Sequence, residues 1–250
     1  MILKKSEKEI ETMAEGGKIL SDILKKTGAL VRPGITTNEL NRAAEALILN
    51  YGAIPSFKGY GGFPAALCVS VNEEIVHGVP SERVLKEGDI VSLDIGMEYK
   101  GFNTDMAVTL PVGDISSKAQ KLMKVTRQAL KVGIKAIRVG GYFGDIGKAI
   151  QEYVESEEFD VVRDLCGHGI GKSIHEDPQV LNFVEGGSTP RIEQGMVFCI
   201  EPMVVEGTWK VKRGEDGFAY VTADKKLSCH FEDTIAITKD GIRLLTKCSE

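Results

Sequence analysis

Histidine is rare in this chain, with four among 250 residues. A basic excess is missing as well. The formal net charge is −5, and no block of like charge exceeds a few residues. That argues against a nucleic-acid binder, whose usual footprint is a basic face. No apolar run approaches the length of a membrane span, and the N-terminal "MILKKSEKEIETM" lacks the apolar stretch of a signal peptide. A cytoplasmic protein with no membrane contact is expected. Cysteine is odd in number, five in all: Cys68, Cys166, Cys199, Cys229 and Cys248. None stands in a CxxC pair, which excludes a zinc ribbon, and the odd count reads as reduced thiols and not a disulfide framework. Cys199 and Cys229 read as small apolar core fillers.

What is present suits a globular domain. Apolar residues make up 42% and charged residues 27%, and a chain of this length can bury a core. Ser6 with Glu9, and Thr36 with Glu39, are capping boxes that open helices. Ser117 with Gln120 predicts a third helix start, and "FGDIGKAIQEYVES" a fourth helix. Strand-like runs lie between and after them: "ALCVSV", "DIVSLDIG", "DMAVTL", "MVFCIEPMVV", "FAYVT" and "DTIAIT".

That order, two helices then strands, occurs twice. "LVRPGITTNELNRAAEALI" aligns with "AIRVGGYFGDIGKAIQEYV", "CVSVNEEIVHGVP" with "CGHGIGKSIHEDP", and "GDIVSLDIG" with "GMVFCIEPM". Three weak matches in one order point to a single domain over 1–250 built from two α+β halves, roughly 1–113 and 114–250. If the halves pack about a pseudo-two-fold axis, His77 faces His175 and Asp94 faces Glu201 across a shared cleft.

Four acidic residues stand on apolar strands. Asp94 ends "IVSLD" and Asp105 opens "DMAVTL". A turn centred on Tyr99-Lys100 makes them a direct cross-strand pair with Cβ atoms about 5 Å apart; a bulge at Gly101 would shift that register by one. Glu201 and Glu232 repeat the arrangement in "FCIEPM" and "HFEDTIAIT". One acidic residue at a strand end reads most simply as a solvated edge, but four in matched places do not. No Arg or Lys lies in these strands to neutralise them, whereas two divalent cations and a bridging hydroxide would bring the site close to neutral. Oxygen-rich ligation with one imidazole suits Mn²⁺, Fe²⁺ or Co²⁺, and zinc less exclusively. A pair of such ions is the logic of dinuclear hydrolases.

The stretch "CGHGIGKSIHEDP" carries two of the four histidines among glycines. Glycines there let backbones approach closely and keep the cleft open. His168 reads as a ligand. His175 lies an odd number of residues away, so a turn at Lys172-Ser173 must re-aim it as a free imidazole over the cleft.

The segments "NEEIVHGVP", "LDIGMEYKGFNTDMAV", "GHGIGKSIHEDPQVLNF", "IEPM" and "FEDTIAI", in this order and across essentially the whole chain, resemble the type I methionine aminopeptidases, metallopeptidases of the pita-bread fold. The resemblance implies two divalent metal ions, Co²⁺, Mn²⁺, Fe²⁺ or Zn²⁺. Asp94 would bind one, Asp105 and Glu232 both, and His168 and Glu201 the second. Glu201 would also pass on the proton of the attacking water. His175 would hydrogen-bond the scissile carbonyl and His77 the nitrogen side. The implied substrate is the N-terminal methionine of a newly made polypeptide with a small second residue. Tyr60, Phe63, Cys68 and Phe218 would wall the methionine pocket.

Departures from the family pattern gather in that pocket: Gly61 stands where a larger polar residue occurs, Ile174 where an aromatic and Phe218 where a tryptophan is common, and Leu165 in place of an aromatic or methionine; all but glycine stay apolar. His230, two residues before Glu232, reads as either a partner of that carboxylate or an ordinary strand residue. With no extension or large insertion, the bare catalytic domain is expected, acting as a monomer with transient ribosome contact. The rival readings are a proline-specific aminopeptidase or dipeptidase of the same fold, a creatinase-like amidinohydrolase, and a non-catalytic binding module.

Overall fold

The computed structural model describes residues 2–247; Cys248 lies outside the described residues. Helix α1 (Glu7–Gly28) begins at a complete Ser6–Glu9 capping box, and α2 (Thr37–Asn50) at a complete Thr36–Glu39 box. Helix α3 (Ser117–Ala136) corrects the expected start by one residue. Ser116 is the cap, its hydroxyl accepting from the Ala119 amide, and Ser117 is the first helical residue. Serine suits either position, so local chemistry left the two nearly equal. Helix α4 spans Phe143–Ser156, the predicted segment.

All strand pairings are antiparallel. Strand Ile90–Tyr99 pairs with Phe102–Pro111 on one side and with Cys68–Val71 and Ile54–Pro55 on the other. Helix α1 packs on that hairpin. In the second half, a five-stranded sheet runs in the order Gly241–Leu244, Asp233–Thr238, Val197–Ile200, Gly167–Gly169, Glu176–Val180. Glu74–Val76 joins Tyr220–Thr222, so a sheet also crosses between the halves. One apolar cluster runs mainly through residues 20–112, another mainly through 119–237, and a third mixes both, with Met13, Phe63 and Cys68 beside Ile170, Ile174 and Cys199.

The hairpin register differs from expectation. The turn is Lys100-Gly101, both at positive φ (52° and 81°), as a two-residue hairpin turn favours. Asp94 therefore lies opposite Ala107, and Asp105 opposite Gly96, with no bulge. The two aspartates are diagonal neighbours, not direct partners. Moving the turn by one residue shifts the pairing by two positions, so both still face the same side of the sheet.

A second pairing joins the halves at their centre. Ala107 and Glu232 form an antiparallel bridge, Ala107 N–H to Glu232 O at 3.3 Å and Glu232 N–H to Ala107 O at 3.0 Å. On either side the same register continues through hydroxyls. Thr234 Oγ1 accepts from the Asp105 amide (3.0 Å) and donates to the Asp105 carbonyl (2.7 Å). Thr109 Oγ1 does the same for the His230 amide (3.0 Å) and carbonyl (2.8 Å).

The glycines around His168 are sites of close approach. None of Gly167, Gly169 and Gly171 has positive φ. A Cβ on Gly167 would fall against the Cys199 carbonyl, on Gly169 against the Asp177 carbonyl, and on Gly171 against the Lys5 side chain. Lys5 belongs there because it forms a buried ion pair with Glu176 at 2.6 Å. Replacing Gly169 by alanine forces backbone apart, and the expected cost is about 1–3 kcal/mol. Gly186, with open space at its Cβ and no positive φ, is the control, expected to stay within about 0.5 kcal/mol. Denaturant unfolding of Gly169→Ala and Gly186→Ala checks this; equal stability of the two would contradict it.

Candidate metal centre

Two mid-strand positions, a strand break and the central bridge aim four carboxylates into one cleft of about 780 Å³. Asp94 stands within Ile90–Tyr99 and Asp105 within Phe102–Pro111. Neither is at the strand end expected, because both strands run on to the tight turn at Lys100-Gly101. Glu201 sits where the strand Val197–Ile200 breaks, ahead of Pro202, and the strand resumes at Met203. Proline offers no N–H to the ladder, so Glu201 is held otherwise: Asn182 Nδ2 donates to its carbonyl at 3.0 Å. Glu232 is delivered by the bridge to Ala107. The four are 7%, 3%, 9% and 2% exposed in chain order.

Burial and mutual repulsion set their chemistry. Asp94, Glu201 and Glu232 are pushed well above the ordinary carboxylate range, first by desolvation and then by the charge of Asp105 beside them. Asp105 is raised to about 7 by desolvation, against the pull of the Met106 amide and a hydrogen bond with Asp94. Asp94 Oδ1 and Asp105 Oδ1 are buried with no hydrogen-bond partner. Such oxygens are what a divalent cation satisfies.

His168 joins them. Its Nδ1 lies 2.9 Å from the Gly169 carbonyl, which makes Nδ1 the protonated nitrogen and leaves the Nε2 lone pair toward the carboxylates. Nε2 is 3.6 Å from Glu201 Oε1 and 3.9 Å from Asp105 Oδ2. Burial lowers its pKa to about 3, so it is neutral at pH 7, as ligation requires. Three groups of potential ligand atoms fall within 4.8 Å of one another: Asp94, Asp105 and Glu232; Glu201, His230 and Glu232; and His168, Cys199 and Glu232. The Cys199 thiol is raised well above its usual value by burial and the nearby carboxylates, which makes it a poor thiolate. These residues fit divalent cations held mainly by oxygen, with imidazole nitrogen beside it.

The residues expected to hold metal, act on the scissile bond or wall the methionine pocket all border this cleft: the five above, His77, His175, Tyr60, Phe63, Cys68 and Phe218. His175 is re-aimed as expected, its ring centre 4.4 Å from that of His168. His77 holds a left-handed backbone, φ 60°, strained for a non-glycine residue; burial lowers its pKa to about 4. Phe63 and Phe218 meet edge to face at 5.5 Å.

Tyr60 does more than wall the pocket. Its hydroxyl lies 2.9 Å from His175 Nδ1, a contact with no local sequence signal. Ile174 corrects the pocket reading, since it is buried behind the wall against Phe57 and Gly96 and does not border the cleft. Leu165 and Gly61 do border it. Sequence reasoning passed over Arg213, which also borders the cleft, with its guanidinium 4.1 Å from the Tyr220 ring centre. It also passed over Asn182, Thr109 and Thr234, whose partners are distant in sequence.

The model of metallopeptidase family M24 matches residues 11–239. The methionine aminopeptidase of Clostridium perfringens is 50% identical, over 98% of this chain and 99% of that protein. The crystal structure of methionine aminopeptidase from Rickettsia prowazekii superposes with a TM-score of 0.96 at 39% identity, covering 99% of this chain and 100% of that one. Prolidase from Pyrococcus furiosus shares the fold alone, with TM-score 0.80 at 23% identity, over 99% of this chain and 66% of that one. No described helix is long and apolar enough to cross a membrane.

The raised carboxyls predict an unusual pH dependence for metal-free protein. Groups with folded pKa above the unfolded value keep protons that the unfolded chain has lost, so stability falls as pH rises through the folded values. His77, His168 and His230 are lowered to about 4, 3 and 3. Above pH ~7.5, about a unit past the ordinary imidazole value, they are neutral in both states and add no slope. Metal-free protein is therefore expected to lose stability between about pH 7.5 and 8.5, and saturating Mn²⁺ to abolish the loss. Thermal unfolding across that range checks this; a metal-free curve that is flat or rising would contradict it.

Proposed function

The chain belongs to metallopeptidase family M24, and on that premise we propose that it removes the N-terminal methionine from newly made polypeptides whose second residue is small. The observation that carries this reading is the joining, in one cleft, of a buried carboxylate nest to an apolar wall at Phe63 and Phe218. A thioether side chain fits such a wall, and the peptide bond beyond it then lies against the nest.

Two divalent ions, Co²⁺, Mn²⁺, Fe²⁺ or Zn²⁺, would be held by five side chains: one by Asp94, both by Asp105 and Glu232, and the second also by His168 and Glu201. When bound, they supply Lewis-acid polarisation of the carbonyl and activation of water at neutral pH. Glu201 accepts the proton of the attacking water and delivers it to the leaving nitrogen, a transfer suited to a carboxyl whose pKa is raised. His175 Nδ1 lies 2.9 Å from the Tyr60 hydroxyl; accepting from that hydroxyl leaves His175 its own proton on Nε2, to donate to the carbonyl oxygen as negative charge develops there. His77, held by its left-handed backbone, hydrogen-bonds the nitrogen side of the scissile bond. Tyr60, Phe63, Cys68 and Phe218 receive the methionine side chain.

We also read 1–113 and 114–250 as two copies of one plan within a single catalytic domain. Supporting this, Gly34 and Gly140 precede α2 and α4 with φ of 91° and 83°, and Gly88 and Gly195 precede matched strands at 91° and 88°. One chain supplies every proposed ligand, which accords with a monomer. An enzyme acting on newly made polypeptides works in the cytoplasm, with passing contact at the ribosome. The four free cysteines among the described residues accord with that reducing compartment.

Hydrolysis of a Met-X peptide panel beside Ala-Pro peptides, with apo protein reconstituted with each ion, tests the reading. Met-Ala and Met-Gly peptides should be cleaved, with bulky second residues rejected. Preference for the proline peptides, or no activity with any ion, would overturn it.

A further inference from the structure

His230 is 1% exposed, and neither ring nitrogen has a hydrogen-bond partner. Leaving both polar atoms of a buried imidazole unpaired costs free energy, so the position needs a reason. Its backbone is clamped at both amide and carbonyl by Thr109. The ring follows that clamp and projects toward two carboxylates, with Nε2 3.8 Å from Glu201 Oε2 and 3.9 Å from Glu232 Oε2. Unlike either carboxylate, the ring does not border the cleft. It stands behind them.

His168, half-buried, and His230, buried, differ in one respect that decides their roles. His168 Nδ1 is anchored on the Gly169 carbonyl, which commits its Nε2 to the lone-pair form. No carbonyl anchors His230 Nδ1, so nothing commits Nε2 to that form. Beside two carboxylates, the tautomer with the proton on Nε2 is favoured, because it turns a lone-pair repulsion into charge-assisted donation.

Resting on the metal-centre reading above, we propose that His230 is a positioning residue, whose Nε2–H steadies the Glu201 and Glu232 carboxylates from behind so that their other oxygens meet the cations. Groups that orient metal-binding carboxylates in this way are worth about 10–100-fold in metal affinity.

The chain's four histidines make ¹⁵N-histidine NMR of Zn²⁺-loaded protein tractable. His230 should be the Nε2–H tautomer and His168 the Nδ1–H tautomer with a metal-shifted Nε2. A metal-shifted Nε2 on His230 would make it a ligand and overturn the proposal. Calorimetric titration of apo protein with Mn²⁺ adds a second readout. His230→Leu should bind about 10–100-fold more weakly, and His230→Gln, which keeps a donor, should recover most of that affinity. Wild-type affinity in His230→Leu, or no recovery in His230→Gln, would overturn it. Should the leucine variant not fold, the NMR result on wild-type protein decides alone. If wild-type protein takes up no divalent ion, the metal-centre reading itself fails; uptake by wild type with an unaffected leucine variant removes only the role of His230.

Discussion

The short antiparallel seam at Ala107 and Glu232 is the constraint on which the site depends. Two backbone hydrogen bonds close it, and on each side a threonine hydroxyl takes the place of the next ladder pair, Thr234 on Asp105 and Thr109 on His230. Each hydroxyl reaches from one half of the chain into the other. An amide or carbonyl buried without such a partner would cost about 1–3 kcal/mol, so the seam resists slipping. A slip of one residue would turn Asp105 and Glu232 away from the cleft together.

With the seam fixed, the remaining site chemistry is electrostatic. Four carboxyls under 10% exposed cannot all ionise cheaply, and their raised pKa values express that. The fold holds them together through backbone contacts: the seam for Asp105 and Glu232, the Asn182 amide for Glu201, and the strand pair with Cys68 for Asp94. Rigidity outside the nest and repulsion within it make a site whose affinity for divalent cations is built into the fold. The close-packed glycines at 167 and 169 serve the same end, letting the strand that carries His168 lie against its neighbours without spacers.

How much of this could be read from sequence depended on range. The capping boxes at Ser6 and Thr36 were legible because cap and partner stand three residues apart. The aspartates' shared face was legible because strand parity survived the misplaced turn at Lys100-Gly101. Matched motifs in the two halves placed His77, His175, Asp94 and Glu201 at one cleft, and the family resemblance, not the motifs, supplied the wall at Tyr60, Phe63, Cys68 and Phe218. The Lys5–Glu176 pair, the threonine clamps and the Tyr60–His175 contact were not legible, since each joins residues far apart in sequence through side chains of unremarkable type. Ile174 misled for a related reason: neighbourhood in sequence to His175 says nothing about which side of the wall a residue takes.

Anomalous diffraction from crystals soaked in manganese bears most directly on the central claim, that this nest is built around divalent cations. Two peaks are expected, one among Asp94, Asp105 and Glu232 and the other beside His168 and Glu201. Carboxylates turned apart toward solvent, with no anomalous density between them, would contradict it.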